Sequence, residues 1–334
     1  MVQFRHNAAF FAAFLAACPA LAHLGHDLGS EIAARSAYLK HAPRDLSHCA
    51  EKLKARGHEQ RALEKRAAKV QQLRAEVEAK KRKREAISAR LMVSCVEDVI
   101  FQNASCVLSP EAEIGPYYVL GELVREDITD GEPGVPVTID GQFIDVNTCE
   151  PIPELYWDLW HCNSTGVYAG VVADGNGDST DATNIDKTFL RGIAKTDADG
   201  VATFKTVFPG HYDGRATHIH VVTHVGATQL SNGTITGGNV THIGQLFFDQ
   251  DLIDEINTSV EPYTENTIEI VDNADDRVFA TETENESDPV FNYVKLGEDV
   301  EDGIFSWINI GVDLSNDYEA TYAAIYSQDG GYEA

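Results

Sequence analysis

Residues 217–225 read Thr-His-Ile-His-Val-Val-Thr-His-Val. Six of these nine side chains branch at Cβ, which favours the extended backbone of a strand. Turn-forming glycines bound the run, with Gly210 and Gly214 before it and Gly226 after it. The stretch therefore predicts a β-strand.

Similar short runs, separated by Gly, Asp, Asn and Pro, occur on both sides of this strand. They cover residues 135–144, 155–162, 201–208, 243–248 and 304–312. Strands at this spacing, without helical periods between them, are typical of antiparallel sheets that pack on each other. We predict an all-β fold, an antiparallel β-sandwich over residues 93–318, followed by a C-terminal tail over residues 319–334.

The segment before the sandwich has a different composition. Residues 23–91 contain 17 basic and 9 acidic side chains, a net charge of +8, whereas residues 92–334 contain 8 and 44, a net charge of −36. The acidic part argues against nucleic acid and membrane surfaces as partners, because both require neutralising basic side chains. We predict a basic helical segment over residues 23–92.

Four apolar side chains in this segment lie at helical spacing: Leu63, Val70, Leu73 and Val77. Gly57 interrupts the pattern, so we expect two helices or one broken helix. The apolar stripe packs either on the sandwich or on a partner chain, which would give a homodimer. The basic run at residues 80–84 is either a solvated helix face or a site at which a propeptide is released.

The amino terminus has the layout of a secretory signal peptide, residues 1–22. Arg5 and His6 precede an apolar run at residues 8–17, and Ala20-Leu21-Ala22 follows it. The run is shorter than the ~20 residues that a membrane-spanning helix needs. We therefore expect a secreted protein, N-glycosylated at its Asn-x-Ser/Thr sites, which are Asn103, Asn163, Asn232, Asn239, Asn257 and Asn285.

Five cysteines remain after the leader is removed, and an oxidising compartment favours their pairing. We expect Cys95 to pair with Cys106 and Cys149 with Cys162. Cys49 is then left without a partner in its own chain.

Two histidines of the 217–225 strand could share a metal ion. His218 and His220 point to the same face with Cα atoms about 6.6 Å apart, whereas His224 lies about 13 Å beyond His220. A His-x-His pair alone also suits copper, zinc or Fe(II) sites and occurs by chance. Tyr212, in the turn before the strand, and Tyr168, after the 155–162 strand, add two phenol oxygens to the candidate site.

The residues in these segments resemble the intradiol ring-cleavage dioxygenases, which include catechol, hydroxyquinol and protocatechuate dioxygenases. The resemblance depends on the order of four motifs and is clearest over about residues 110–250. The motifs are Gly-Pro-Tyr-Tyr at 115–118, Leu-Trp-His-Cys-Asn-Ser-Thr-Gly-Val-Tyr at 159–168, Pro-Gly-His-Tyr-Asp-Gly-Arg-Ala-Thr-His-Ile-His at 209–220 and Gly-Gln-Leu-Phe-Phe at 244–248.

The resemblance implies a β-sandwich enzyme that cleaves a small aromatic diol with O2 to a muconate-type diacid. It implies one Fe(III) per chain, held by Tyr168, Tyr212, His218 and His220. Tyr212 would leave the metal during the reaction, and Arg215 and Gln245 would assist beside the ligands. Tyr117 or Tyr118, together with Arg215, would contact the substrate. An insert at residues 226–241 and the segment before residue 92 depart from the family pattern.

Two other functions are compatible with parts of the sequence. A secreted binding glycoprotein would keep the sandwich and lack iron. A copper enzyme would use His23, which cleavage after Ala22 exposes as the amino terminus, but no second copper ligand is evident. Within the dioxygenase interpretation, the acidic domain favours neutral catechols or hydroxyquinol over carboxylated protocatechuate, unless Arg125, Lys187 or Arg191 lines the pocket.

Overall fold

The computed structural model describes residues 46–84, 106–107, 113–283, 287–327 and 330–333. The predicted signal peptide, Cys95 and the glycosylation sites at Asn103 and Asn285 lie outside the described residues. No helix in the described ranges is both long and apolar enough to cross a membrane.

The described chain contains four α-helices and fourteen strands. The helices are α1 (Ala50–Ala55), α2 (His58–Arg84), α3 (Gln250–Ser259) and α4 (Arg277–Glu282). The strands are β1 (Cys106–Val107), β2 (Val119–Leu120), β3 (Pro136–Asp145), β4 (Tyr156–Trp160), β5 (Arg191–Lys195), β6 (Val201–Val207), β7 (His218–Val225), β8 (Thr228–Gln229), β9 (Ile235–Thr236), β10 (Asn239–Phe247), β11 (Asn292–Lys295), β12 (Ile304–Val312), β13 (Ala324–Ser327) and β14 (Gly330–Glu333).

Two of the sheets enclose the main core of the sandwich. The first has the order β1-β12-β3-β6, with β11 also paired to β12, and the second has the order β10-β7-β4-β5. Trp157, Phe204, Ile219 and Ile308 are fully buried in the core cluster between them. Gly141 on β3 leaves room for the indole, since a Cβ there would lie 2.4 Å from Trp157.

The prediction of a purely antiparallel sandwich is wrong for the first sheet. Strand β12 pairs with β3 in parallel over nine residues, and β1 also runs parallel to β12. The chain reaches β12 only after it has passed through β10, α3 and α4, so β12 returns to the first sheet by a long crossover. Parallel neighbours require a connection of this kind, whereas a tight hairpin would have produced an antiparallel pair.

The predicted strands at 135–144, 155–162, 201–208, 217–225 and 304–312 are present with small shifts at their ends, as β3, β4, β6, β7 and β12. Strand β10 begins at Asn239, earlier than the predicted 243–248 run, and pairs with β7 across an irregularity between Val240 and His242. The elements that were not predicted include strand β5 and helices α3 and α4. Asp249 caps α3 by accepting a hydrogen bond from the backbone of Asp251.

The N-terminal helices pack on the sandwich of their own chain. Gly57, with a φ of 64°, separates α1 from α2, which confirms the two-helix alternative. Val70 and Leu73 of the apolar stripe contact a cluster on the first sheet that includes Phe305 and Trp307. Salt bridges such as Lys65–Asp197 (2.9 Å) join the basic helix to the acidic domain. The stripe is thus covered within the chain.

The expected pairing of Cys149 with Cys162 is wrong. Cys49 forms a disulfide with Cys149, and Cys162 is free and buried. Cys149 follows β3 in the first sheet, whereas Cys162 follows β4 in the second, so their proximity in sequence does not bring them together. Cys49, from the N-terminal helical segment, packs in the same cluster as Cys149 instead. The Cys95–Cys106 pairing lies outside the described side chains.

The 226–241 insert and the predicted C-terminal tail both contain short strands, and the predicted glycosylation sites differ in exposure. Within the 226–241 insert, β8 and β9 form a small hairpin with Asn232 exposed in its loop, and Asn239, at the start of β10, is also exposed. The buried Asn257 instead donates its side-chain amide to Ile253 O (3.0 Å). The predicted C-terminal tail contains strands β13 and β14, and β13 pairs with β2.

Candidate metal centre

The centre lies on the face of the second sheet that points away from the main core. Along β7, Ile219 and Val221 point into the core between the sheets, so His218 and His220 point to the opposite face. A second apolar cluster that includes Tyr168 and Tyr212 covers that face. Strand alternation therefore presents both imidazoles to the two tyrosines.

Two asparagines fix the position of Tyr168, which follows β4 in a loop. The Tyr168 N–H donates to Asn176 Oδ1 (2.7 Å), and its carbonyl accepts from Asn176 Nδ2 (2.9 Å) and Asn184 Nδ2 (2.6 Å). Both asparagines are buried. A loop residue lacks the backbone hydrogen bonds of a sheet, and these side-chain amides satisfy the Tyr168 backbone instead. They thereby give the phenol a defined position.

Tyr212 lies in the turn that leads into β7. A Cβ on Gly210 would lie 2.4 Å from the carbonyl oxygen of Asn163, so only glycine permits this close approach of the two loops. The approach brings the Tyr212 loop against the loop that carries Tyr168. Gly115 has a similar role on the other side, where a Cβ would lie 2.8 Å from His220 Cε1.

The four side chains meet at their polar atoms. His218 Nε2 lies 3.4 Å from the phenol oxygens of both Tyr168 and Tyr212 and 3.2 Å from His220 Nε2. His220 Nε2 lies 3.2 Å from Tyr168 Oη. Each of the four residues is no more than 2% exposed. These side chains thus form one compact group of nitrogen and oxygen donors.

This group has the composition and spacing of a metal-binding site. His218 Nδ1–H donates to the carbonyl oxygen of Ala216 (2.6 Å), which leaves a lone pair on Nε2 directed at the other donors. Nitrogen and oxygen ligands bind transition metals at about 2.0–2.2 Å, so neighbouring ligands of one ion lie roughly 3–3.5 Å apart. The observed separations fall in this range. The residues therefore fit a single metal ion.

Burial keeps both phenols protonated when no cation is bound. It raises the pKa of Tyr212 to about 12, although the Arg215 charge opposes the shift, and it raises the pKa of Tyr168 well above its ordinary value. The desolvated phenolate is the unfavourable form in both cases. A hard cation between the phenols would reverse this balance, because it stabilises the phenolates directly.

Arg215 connects the donor group to its surroundings and is fully buried. Its Nη1 donates to Tyr212 Oη (3.2 Å) and its Nη2 to Gln245 Oε1 (2.6 Å). Gln245 on β10 is paired with His220 on β7, so the sheet register places it beside the centre. Gln245 Nε2 in turn donates to the carbonyl oxygen of Glu113 (3.0 Å).

The two adjacent tyrosines of the 115–118 motif face different surroundings. The Tyr117 ring lies 4.8 Å from that of Tyr168 and 5.9 Å from that of Tyr212, centroid to centroid. Tyr118 instead donates to Asp158 Oδ2 (3.1 Å) and packs on Trp160. Of the two, the structure brings Tyr117 into contact with the candidate ligands.

His224, farther along β7, and His211, in the turn before it, lie elsewhere. His224 Nε2 is 3.6 Å from Asp158 Oδ2, and His211 Nε2 is 2.9 Å from the carbonyl oxygen of Ile268. Among the three candidate pocket cations, Arg191 contacts a candidate ligand, with its guanidinium carbon 5.8 Å from the Tyr168 ring centroid. Arg125 pairs with Asp130 and Lys187 with Asp181.

Sequence reasoning did not identify Asp276, which pairs with Arg215 in the interior (2.8 Å). Asp276 lies 61 residues after Arg215, between two short helical turns in a segment without regular periodicity. An Asp before a short helix indicates a capping residue, and this was the only available signal. Its second role depends on tertiary contacts.

A family model described as "Dioxygenase" matches residues 115–289, the range that contains the whole donor group. Among solved structures, the chain is similar to an intradiol ring-cleavage dioxygenase from Tetranychus urticae, with 29% identity and a TM-score of 0.53. That alignment covers 64% of this chain and 98% of the other. A second dioxygenase structure has the same identity and coverages and a TM-score of 0.51.

Bacterial structures show a looser likeness. A catechol 1,2-dioxygenase from Pseudomonas arvilla C-1 has 19% identity and a TM-score of 0.38 and covers 61% of this chain and 62% of its own. At these values the likeness does not bear on the substrate. Among curated proteins no sequence match is found.

Proposed function

Because this chain belongs to the intradiol ring-cleavage dioxygenase family, we propose that it is a non-haem Fe(III) enzyme that cleaves catechol-type diols. The ring would open between the two hydroxyl-bearing carbons. Both atoms of O2 would enter the product, so the diol would gain two oxygen atoms, lose no hydrogen atoms and become a muconate-type diacid. One iron per chain would suffice.

The convergence of Tyr168, Tyr212, His218 and His220 on one buried point is the observation that supports this proposal most directly. Two phenolates are hard anionic donors that favour Fe(III) over Fe(II), and two neutral imidazoles complete a set with a low total charge. When bound there, Fe(III) supplies Lewis acidity toward the two diol oxygens and a redox-active centre for the reaction with O2.

The residues of the chain would manage protons and charge around that chemistry. Tyr212 Oη lies among the candidate ligands and would take up the proton of one diol hydroxyl, and hydroxide from solvent would take up the other. Burial raises the pKa of Tyr212 to about 12, so its phenolate would be a strong base whenever no cation is bound to it. Arg215 Nη1, 3.2 Å away, would stabilise negative charge at this oxygen.

The surroundings of the centre favour a neutral diol. Tyr117 and Ile114 belong to the apolar cluster around the candidate ligands. The two nearest guanidinium groups are already paired with carboxylates, Arg215 with Asp276 and Arg191 with Glu122. A carboxylated diol would need a further cation, so we propose catechol, methylcatechols or hydroxyquinol as substrates rather than protocatechuate.

Metal analysis combined with a substrate panel tests the proposal. We expect one iron per chain and a red to burgundy colour, which arises when tyrosinate donates charge to Fe(III). Purified protein should consume O2 with catechol and release a diacid. A colourless protein filled with zinc or copper would refute the iron assignment, and an iron-free protein inert toward all diols would favour a binding glycoprotein.

We also propose secretion and N-glycosylation. The layout of residues 1–22 and the Cys49–Cys149 disulfide support an oxidising compartment, since such bonds are rare in the cytosol. Glycans are best accommodated at the exposed Asn232 and Asn239. A homodimer, if formed through the N-terminal segment, would use the charged outer face of α2, because the apolar stripe is covered. Glycosidase treatment and light scattering test these points.

A further inference from the structure

We infer that Asp276 is a positioning residue that orients Arg215 toward Tyr212. The inference rests on the proposed function, because it assigns a role in that reaction. Asp276 lies at the start of α4, and its carboxylate faces the guanidinium in the protein interior. Arg215 is fully buried and Asp276 is 1% exposed, so water does not screen the pair.

The contacts of Asp276 define the geometry of Arg215. Asp276 Oδ2 accepts from Arg215 Nε (2.8 Å) and Oδ1 accepts from Arg215 Nη2 (3.3 Å). A guanidinium is planar, so two bonds on one edge determine the direction of the other edge. That edge presents Nη1 to Tyr212 Oη at 3.2 Å.

The backbone fixes the carboxylate itself. Asp276 Oδ1 accepts from the N–H groups of Val278 (2.7 Å) and Phe279 (2.9 Å), and Oδ2 accepts from the N–H of Ala216 (2.8 Å). Although burial disfavours the charged form, the Arg215 charge and these bonds hold the pKa of Asp276 below its ordinary value. The carboxylate therefore links α4 to the residue that follows Arg215.

The opposite end of α4 supports the second partner of Arg215. Glu282 Oε1 accepts from the backbone N–H of Gln245 (2.5 Å), and Gln245 Oε1 accepts from Arg215 Nη2 (2.6 Å). Glu282 is fully buried. Both ends of one short helix thus determine where Arg215 points, although α4 contributes no candidate metal ligand.

An Asp276→Asn variant removes the charge and one of the two acceptor oxygens but keeps the helix cap, because asparagine also caps helices and retains one oxygen for the backbone donors. The matched control is Asp249→Asn, which changes the exposed cap of α3 in the same way. We expect Asp276→Asn to retain iron and to lower kcat roughly ten-fold or more, with little change in KM, since a misdirected group costs rate. Asp249→Asn should leave kcat unchanged.

Two further readouts separate positioning from stability. In Asp276→Asn the uncompensated Arg215 charge should stabilise the Tyr212 phenolate and shift the charge-transfer band to higher energy. In the Arg215→Lys background, Asp276→Asn should change kcat by less than about two-fold, because the residue that it positions is gone. The inference would be overturned if Asp276→Asn lowered kcat by the same factor in the wild type and in Arg215→Lys. It would also be overturned if Asp276→Asn left the wild-type kcat unchanged.

Folding failure is also informative. If Asp276→Asn and Asp276→Ser both fail to fold, Asp276 is a stability residue and the inference is wrong.

In metal-free protein, the NMR signal of Arg215 Nε–H should exchange slowly with solvent in the wild type and rapidly in Asp276→Asn. This readout needs no activity, so it still tests the orientation if the wild-type protein proves to bind no iron.

Discussion

Arg215→Lys is the perturbation for which the structure gives the clearest magnitude. Arg215 donates four hydrogen bonds, to Tyr212 Oη, Gln245 Oε1 and both oxygens of Asp276. A lysine ammonium keeps the charge but has one nitrogen, so it cannot reach all three partners from the position of the guanidinium. We expect its single nitrogen to stay with Asp276, the oppositely charged partner.

The bond to Tyr212 is then lost at the oxygen where charge changes during the reaction. Removal of one donor from such a position typically lowers the rate by about 10²–10³-fold, or roughly 3–4 kcal/mol. Because Arg215 donates a hydrogen bond to Tyr212 and supplies no metal-binding atom itself, iron content should be unchanged. We therefore predict about a hundred-fold loss of kcat with retained iron and colour.

Oxygen uptake with catechol measures the rate, and metal analysis with the visible spectrum measures the centre. Arg277→Lys is the matched control, since Arg277 begins the same helix but pairs with Glu113 at a half-exposed position. It should alter kcat little. If Arg215→Lys kept wild-type turnover, Arg215 would have no part in the reaction, and loss of iron would mean that it supports the ligands instead.

Four further predictions concern the ligands, the substrate and pH. His218→Ala and His220→Ala should lose iron, whereas His211→Ala and His224→Ala should keep it, because the latter two lie against Ile268 and Asp158; equal iron loss in His224→Ala would show that the ligand assignment is wrong. Tyr168→Phe should bleach or shift the visible band, and an unchanged spectrum would remove Tyr168 from the ligand set. Specificity constants should be higher for catechol than for protocatechuate, and the difference should shrink as salt screens the charge of the acidic domain. A preference for protocatechuate at low salt would point to a cation in the pocket, for which Arg191 beside the Tyr168 ring is the candidate. Burial lowers the pKa of His161 to about 4, so its contribution to stability is present above the unfolded pKa of 6.5 and is lost as pH falls toward 4, by on the order of 3 kcal/mol. In urea titrations at several pH values, the free energy of unfolding should therefore fall less with acid in His161→Gln than in the wild type. An equal fall in the two proteins would contradict this prediction.

Local periodicity in the sequence determined the parts of the site that lie on one strand. Alternation along residues 217–225 places His218 and His220 on one face and His224 too far along the strand, and β7 has this arrangement. The order of the four motifs was likewise enough to identify the family. The same local signals predicted the central strands and the helix break at Gly57, because each depends on neighbours within a few residues.

Contacts between distant segments decided what the sequence left open. They place Tyr117, and not Tyr118, against the ring of Tyr168, and they pair Cys149 with Cys49. They also make β12 run parallel to β3. Asp276 is the clearest case, since 61 residues separate it from Arg215 and no periodic pattern links them. Such contacts form where packing of the whole chain brings buried groups together and removes water from them. The spacing of residues along the sequence does not indicate which distant groups become buried together.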